Sequence, residues 1–350
     1  MSDDYLWDRN GPPDPEVARL EALLRPFGQQ EPAPAPPVPL EPDVTESSRP
    51  AHIRSRRVLV PLAAAAMVAM VIGGWWLVNR SRPKTPGWVV TRLEGAPTIA
   101  SQRMGDRNEL PVGEWLETNG QAKASISVAT LGRVDVEPLT RLRLVGTRAG
   151  DHRLELARGT LHATIWAPPG QFFVETPSST AVDLGCAYTL TIDEEGAGLV
   201  TVLLGWVGFE WRERESFIPA GSVCATRPGV GPGTPYHKDT SPAVRAALET
   251  IDFSIGSPDV STALGRVLAE AGERDEVMLW HLLTRVPVGG RDRVFDRLAD
   301  FVPPPAGVTR EGIRAGRRDM LDRWWDALGL GTVSLWRTWK QQWQDNTPNK

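Results

Sequence analysis

The histidines and cysteines are the side chains of this 350-residue sequence that could hold a metal ion or act as nucleophiles. No pair of histidines has the spacing of a zinc site. The histidines are His52, His152, His162, His237 and His281. The sequence also lacks the G-x-S-x-G motif of serine hydrolases and the P-loop that binds phosphate. We therefore expect no metal site, no cofactor and no enzymatic activity.

Two other polar segments are weak candidates for chemistry. The glycine-rich stretch GVGPGTP, residues 229–235, contains two prolines, which remove backbone N–H donors that a phosphate would need. The acidic run Asp193, Glu194 and Glu195 falls in a predicted hairpin turn. Because such side chains are mostly solvated, we interpret this run as surface charge.

The two cysteines, Cys186 and Cys224, allow two interpretations. One is a disulfide that joins the segments LGCAY and GSVCAT across a sheet, in an oxidising compartment. The other is a pair of separate buried thiols that pack as small apolar side chains.

One uncharged stretch, VLVPLAAAAMVAMVIGGWWLVN at residues 58–79, is long enough to cross a bilayer as a helix. Basic residues flank it, and Trp75 and Trp76 lie where an interfacial aromatic belt would be. We therefore predict a single transmembrane helix over 58–79. The basic flanks slightly favour a cytosolic N-terminus. Both cysteines follow the span, so this orientation would place them in an oxidising compartment outside the cytosol. The net charge of -4 does not suggest binding to nucleic acid.

The short cytosolic segment predicted at residues 1–30 contains one amphipathic helix, which begins at Asp14 and Pro15. Its apolar stripe has helical spacing and consists of Val17, Leu20, Leu24 and Phe27. Residues 31–57 form a Pro-rich linker, so the helix has no neighbouring element to pack on. We interpret the stripe as a surface that binds a protein partner. The alternatives are a helix lying on the inner membrane face and a disordered segment.

Residues 87–227 contain short runs in which apolar and polar residues alternate, separated by Gly and Pro. This pattern predicts an all-β domain, built as a sandwich, a roll or a β-helix-like stack. Glycines are expected at tight turns between strands, at Gly159, Gly185, Gly205 and Gly221.

Several motifs in this region resemble the FecR-type periplasmic domain of bacterial transmembrane signalling and anti-sigma proteins. They are LELARGTLHATI, FFVETPSSTAVDLGCAYTLTID, VTVLLGWVGF and IPAGSVC. The resemblance implies a short cytosolic N-terminal part, one span of the bacterial inner membrane and a periplasmic C-terminal part. Many members have several cytosolic helices, whereas this chain has one predicted helix and no His-Cys-Cys zinc signature.

The Gly- and Pro-rich segment RPGVGPGTPYH, residues 227–237, is interpreted as a linker. Residues 240–345 predict an all-α module of several short helices, two of which begin near Ser241-Pro242 and Ser257-Pro258. An aromatic core is expected from Trp280, Trp324, Trp325, Trp336 and Trp339. Trp336, Trp339 and Trp343 also share one helix face, which could instead contact a partner or the membrane.

Together with the resemblance to FecR-type proteins, which implies a role similar to that of an anti-sigma factor, these features predict a single-pass inner-membrane regulator. Its stripe would bind a cytosolic sigma factor or another regulator, and its outer part would bind an unidentified extracytoplasmic protein or ligand. The alternative is an envelope-anchored scaffold with no regulatory role, which would tolerate serine in place of the stripe residues.

Overall fold

The computed structural model describes residues 87–254 and 256–330 of the chain. The predicted span 58–79, the N-terminal stripe and the face formed by Trp336, Trp339 and Trp343 lie outside these residues. Within the described ranges, no helix is both long enough and apolar enough for a membrane span. A large region of strands comes first and helices follow, which confirms the expected order of structure types.

The strands occupy the described chain from Trp88 to His237. In chain order they are β1 (Trp88–Glu94), β2 (Thr98–Ile99), β3 (Gln102–Arg103), β4 (Arg107–Leu110), β5 (Trp115–Glu117), β6 (Lys123–Val128), β7 (Gly132–Val136), β8 (Arg141–Arg148), β9 (Asp151–Ile165), β10 (Phe172–Glu175), β11 (Thr180–Asp183), β12 (Ala187–Ile192), β13 (Gly198–Leu204), β14 (Trp206–Trp211), β15 (Arg214–Pro219), β16 (Ser222–Arg227), β17 (Gly231–Pro232) and β18 (Tyr236–His237). Strands thus continue through the segment 227–237, which the sequence suggested was a linker.

The strands form two sheets that share one strand. Sheet A has the order β4-β1-β6-β7-β9-β12-β13-β16, and the short strands β17 and β18 pair with β16. Sheet B has the order β3-β2-β5-β8-β9-β10-β11-β14-β15. The pairing of β9 with β10 is parallel and the other pairings in these two sheets are antiparallel. Apolar residues from both sheets, such as Ile126 and Phe172, meet in one core, so the architecture is a sandwich.

Alternation along the strands explains why one face of each sheet is buried. In β6, Ala124, Ile126 and Val128 are fully buried while their neighbours are partly or fully exposed. Successive side chains of a strand point to opposite faces. The period-2 pattern seen in the sequence therefore marks the residues that fill the sandwich core.

Strand β9 changes from sheet B to sheet A at Gly159, which does not mark a turn between strands as expected. Arg158 pairs with β8 of sheet B, and Gly159 itself pairs with Ile192 of sheet A. Gly159 has φ of 94°, and a Cβ at this position would lie 2.3 Å from Thr140 Oγ1. Only glycine fits such a corner without strain. The other three predicted turn glycines do separate consecutive strands.

The helices follow the last strand and are α1 (Pro242–Phe253), α2 (Val260–Glu270), α3 (Glu276–Arg285), α4 (Val288–Phe301), α5 (Arg310–Arg314) and α6 (Arg318–Ala327), with a 3-10 turn at Glu273–Asp275 before α3. The Ser241 hydroxyl accepts a hydrogen bond from the Val244 N–H, which confirms the predicted start of α1. Helix α2 begins at Val260, just after the second predicted start signal.

The core of the helical region is aromatic and extends onto sheet B. Trp280 and Trp325 are buried with ring centroids 4.6 Å apart, and Trp324 is also buried. Val182 and Phe217, from β11 and β15, belong to this same cluster of buried residues. The helices therefore pack on sheet B through a continuous apolar contact.

Candidate functional site

Strand β15 forms an edge of sheet B, and side chains of helix α3 bond two of its outward backbone groups. The Phe217 N–H donates to His281 Nε2 at 3.0 Å, and Arg285 Nη2 donates to the Glu215 carbonyl at 3.0 Å. His281 and Arg285 are four residues apart, so they lie on one face of the helix. An uncovered edge would expose unpaired N–H and C=O groups. Helix α3 thus takes the place of a further strand.

Hydrogen bonds define the protonation state of His281. Its Nδ1 lies 2.7 Å from the Val277 carbonyl, which can only accept, while its Nε2 accepts from the Phe217 N–H. These partners require the neutral tautomer with its hydrogen on Nδ1. The imidazole is buried and serves as a connector between helix and sheet, not as a metal ligand.

A buried carboxylate, Asp252 at the end of α1, receives charged donors from two different elements. Arg214 Nη2 of β15 lies 2.9 Å from its Oδ1, and Arg285 Nη1 of α3 lies 3.3 Å from the same atom. The Thr234 N–H donates to Asp252 Oδ2 at 2.6 Å. Arg285 also donates to Ser216 Oγ at 2.6 Å. The network joins α1, α3, β15 and the chain segment before α1.

Burial makes this network sensitive to the loss of any member. The side chains of Asp252 and Arg285 are 2% and 6% exposed, and that of Arg214 is 25% exposed. Burial, followed by the nearby Arg285 charge, lowers the pKa of Arg214. Two guanidinium groups thus share one carboxylate, and removing the carboxylate would leave buried positive charge without compensation.

A cleft of about 1180 Å³ lies beside this network, between the β14–β15 hairpin and the helices. Hairpin residues 210–215 form one wall, and residues of α1, α3 and α6 contribute to the rest. Charged side chains of both signs line it, and the buried Nε1 of Trp211, a lining residue, has no hydrogen-bond partner in the part of the chain that the structure describes. The cleft offers polar and aromatic contacts to a ligand or a peptide segment. Within residues 87–254 and 256–330 there is no cluster of three or more His, Cys, Asp or Glu side chains suited to a metal.

A second buried polar group lies where β11 turns into β12. Asp183 accepts hydrogen bonds from the Gly185 N–H at 2.8 Å and from the Cys186 thiol at 2.7 Å. Burial raises the pKa of Asp183 to about 7 and also raises the pKa of the Cys186 thiol. Tyr188 is fully buried beside them, and its pKa is raised, first by burial and then by Asp183. A protonated thiol in this environment is a poor nucleophile.

Of the two interpretations of Cys186 and Cys224, the structure has the second, because they are separate buried thiols. Sheet A aligns Leu190 with Val200, and Val200 with Cys224. Cys186 lies four residues before Leu190, so its backbone is about 10 Å across and about 13 Å along the strands from Cys224. A disulfide needs Cα atoms within roughly 7 Å. The Cys224 thiol donates to the Gly233 carbonyl at 3.1 Å, and burial raises its pKa to about 12.

Replacing Asp183 with asparagine is expected to change how stability depends on pH. An unfolded aspartate titrates near 3.9, so the folded state, with its raised pKa, holds the proton more tightly. The stabilisation by this proton is complete below about pH 4 and is lost as the pH rises to about 7. Between about pH 5 and pH 8, we expect the wild type to lose about 3 kcal/mol of unfolding free energy relative to Asp183→Asn.

Urea unfolding of the two purified proteins, followed by tryptophan fluorescence across this pH range, measures the difference in unfolding free energy. If the difference in unfolding free energy between the two proteins stayed constant across this pH range, the Asp183 carboxyl would have an ordinary pKa in the folded state.

The residues that join the two regions were not identified from the sequence as a site, and His281 was considered only as a possible metal ligand. One signal was present, because EVMLWHLLTRV places His281 and Arg285 one turn apart among apolar residues. Polar groups on a buried helix face require partners. The predicted partner-binding residues, Val17, Leu20, Leu24 and Phe27, lie outside the described residues, so their role stays a prediction.

Comparison with known proteins gives weak similarities. No protein-family model and no curated protein matches the chain. Two solved structures, each described as a "putative anti-sigma factor" from Parabacteroides distasonis, are similar to it. The first is 15% identical with a TM-score of 0.31, over 38% of this chain and 63% of the other. The second is 16% identical with a TM-score of 0.32, over 44% of this chain and 73% of the other. Both scores are low, so the functional proposal rests on the chain's own residues.

Proposed function

We propose that this protein is a single-pass regulator of the bacterial inner membrane, similar to an anti-sigma factor, with a cytosolic N-terminus and a periplasmic C-terminal part. The observation that carries the proposal is the division of the sequence by the uncharged run at 58–79. Before it lies a short segment in which the sequence predicts one amphipathic helix and no second element for its apolar stripe to pack on. After it lies the described body of strands and helices.

The organisation of this body supports a binding role. Helix α3 covers the β15 edge, and Asp252 lies between Arg214 and Arg285. These contacts couple the sandwich to the helices. The cleft beside that network would accept an extracytoplasmic ligand or peptide, and its walls come from both regions. Binding there would act on both regions together.

We further propose that the protein acts by binding and not by catalysis. The two thiols are buried and their pKa values are raised, which disfavours the reactive thiolate. His281 is held between a carbonyl and an N–H, so it is not available as a base. We also propose that the β domain is of the FecR type.

The test of the regulatory role is to purify the tagged full-length protein from bacterial membranes and identify co-purifying proteins by mass spectrometry. The variant Leu20→Ser/Leu24→Ser removes the centre of the stripe. The matched control, Arg19→Ser/Glu21→Ser, changes two neighbouring residues without altering net charge. We expect a sigma factor to co-purify with the wild type and the control, and its recovery to fall about tenfold or more with the stripe variant.

Recovery of a sigma factor that is equal in all three preparations would contradict binding through the stripe. Absence of any cytosolic regulator from the wild-type preparation would favour the envelope-anchored scaffold.

A further inference from the structure

Exposed large apolar side chains lie together at one end of sheet A. Trp166 is 68% exposed, and Leu203 and Leu204 are 67% and 68% exposed. Trp166 directly follows β9, and the two leucines end β13. Strand β12 lies between these two strands, so the backbones of the two groups are about 10 Å apart. Together they make a small apolar surface at the strand ends.

The same end of sheet A is where the chain enters the sandwich. Pairings from strand to strand align one row of residues across the sheet: Val89, Ser127, Arg133, Thr164, Ala187 and Leu204. The row begins one residue after Trp88, the first residue of β1, and finishes at the exposed leucines. We call this the entry end of sheet A, defined by Trp88, Trp166 and Leu204.

The length of chain before β1 limits how far the entry end can be from the bilayer. The predicted span ends at Asn79, and residues 80–87 separate it from β1. Even fully extended, this segment covers at most about 29 Å. It contains Arg80, Arg82 and Lys84, which complement the negative charge of lipid phosphates.

We propose that the entry end of sheet A contacts the outer surface of the inner membrane, with Trp166, Leu203 and Leu204 in the interfacial region of the bilayer. The inference rests on the proposed membrane anchor. Trp166 suits this position because its Nε1 already donates to the Thr130 carbonyl at 3.2 Å, while its ring stays exposed. Indole rings concentrate at membrane interfaces. Away from the entry end, the outer face of sheet A is more polar, because it carries threonines such as Thr160, Thr189 and Thr191.

The experiment measures the proximity of two positions on one strand to lipid. Leu203→Cys and Leu199→Cys lie on the same face of β13, and Leu199 is 43% exposed at the opposite end. The native thiols are buried, so a bimane maleimide labels the introduced cysteine of the folded full-length protein. The protein is reconstituted into vesicles of phosphatidylethanolamine and phosphatidylglycerol containing a lipid with a nitroxide headgroup. About 13 Å of strand separates the two positions. We therefore expect the lipid nitroxide to quench the label at Leu203→Cys about three times as strongly as the label at Leu199→Cys, or more.

The outcomes separate this inference from the proposed function. Equal quenching at the two positions, in protein that floats with the vesicles, would overturn the membrane contact while leaving the anchor in place. Protection of the Leu203→Cys label from aqueous iodide, without quenching by the lipid nitroxide, would overturn it in favour of a protein occupant such as a second copy. Failure of the protein to float with the vesicles would overturn the anchor and the contact together.

Discussion

Replacing Gly159 with alanine is expected to destabilise the sandwich by about 3 kcal/mol or more. Gly159 lies where β9 passes from sheet B to sheet A, with φ of 94°. An added Cβ would lie 2.3 Å from both the Cα and the Oγ1 of Thr140. Thr140 cannot move freely, because its Oγ1 accepts from the Thr160 N–H at 2.9 Å. The substitution therefore combines backbone strain with a steric clash at the junction of the sheets.

Urea unfolding of the detergent-solubilised full chain measures this effect. The matched control is Gly146→Ala in the neighbouring strand β8, where an added Cβ meets no atom of residues 87–254 and 256–330 within 4 Å. We expect the control to change the unfolding free energy by less than about 1 kcal/mol. Equal effects of the two substitutions would show that the corner does not require glycine.

Replacing Asp252 with alanine is expected to destabilise the protein by about 3–5 kcal/mol, because it leaves two guanidinium groups partly or fully buried without their carboxylate. It also removes the acceptor of the Thr234 N–H. The affected groups come from sheet B and from the helices, so we expect the helical region to lose protection from hydrogen exchange first. Hydrogen exchange with mass spectrometry of the full chain would locate the loss.

Two further variants make the Asp252 result interpretable. Asp300→Ala removes an exposed partner of Arg297 on α4 and is expected to cost less than about 1 kcal/mol. Asp252→Asn retains one acceptor oxygen but not the charge, so its effect is expected to lie between those of Asp252→Ala and Asp300→Ala. If Asp252→Ala were no more disruptive than Asp300→Ala, the buried network would not be what joins helices to sheet.

The strands could be recognised from the sequence because their signal is local. In β6, the alternation in KASISV is enough to identify Ala124, Ile126 and Val128 as core residues, since the side-chain period of a strand is two. The start of α1 was equally local, because Ser241 caps the helix that begins at the next residue. The aromatic core around Trp280 and Trp325 followed from the apolar spacing of their helices.

The features that the sequence did not reveal depend instead on residues that are far apart in the chain. Gly159 looked like a turn glycine, because the sequence does not show that Thr140, the residue just before β8, approaches it. The sequence left both a disulfide and two separate thiols open, because the register of β12, β13 and β16 decides the distance between the two cysteines. The segment 227–237 looked like a linker, but β16 provides a strand with which it can pair.

By itself, the sequence determined that strands occupy the first part of the described chain and helices the last part, and which residues of the longer strands and helices are apolar. These properties depend on neighbours a few residues away, through the strand period, the helix period and the capping residues. Only the tertiary structure decided that β9 belongs to two sheets, that α3 covers the β15 edge, and that Asp252 lies between Arg214 and Arg285. Those contacts join residues separated by tens of positions, and the packing of the two regions brings them within hydrogen-bond distance.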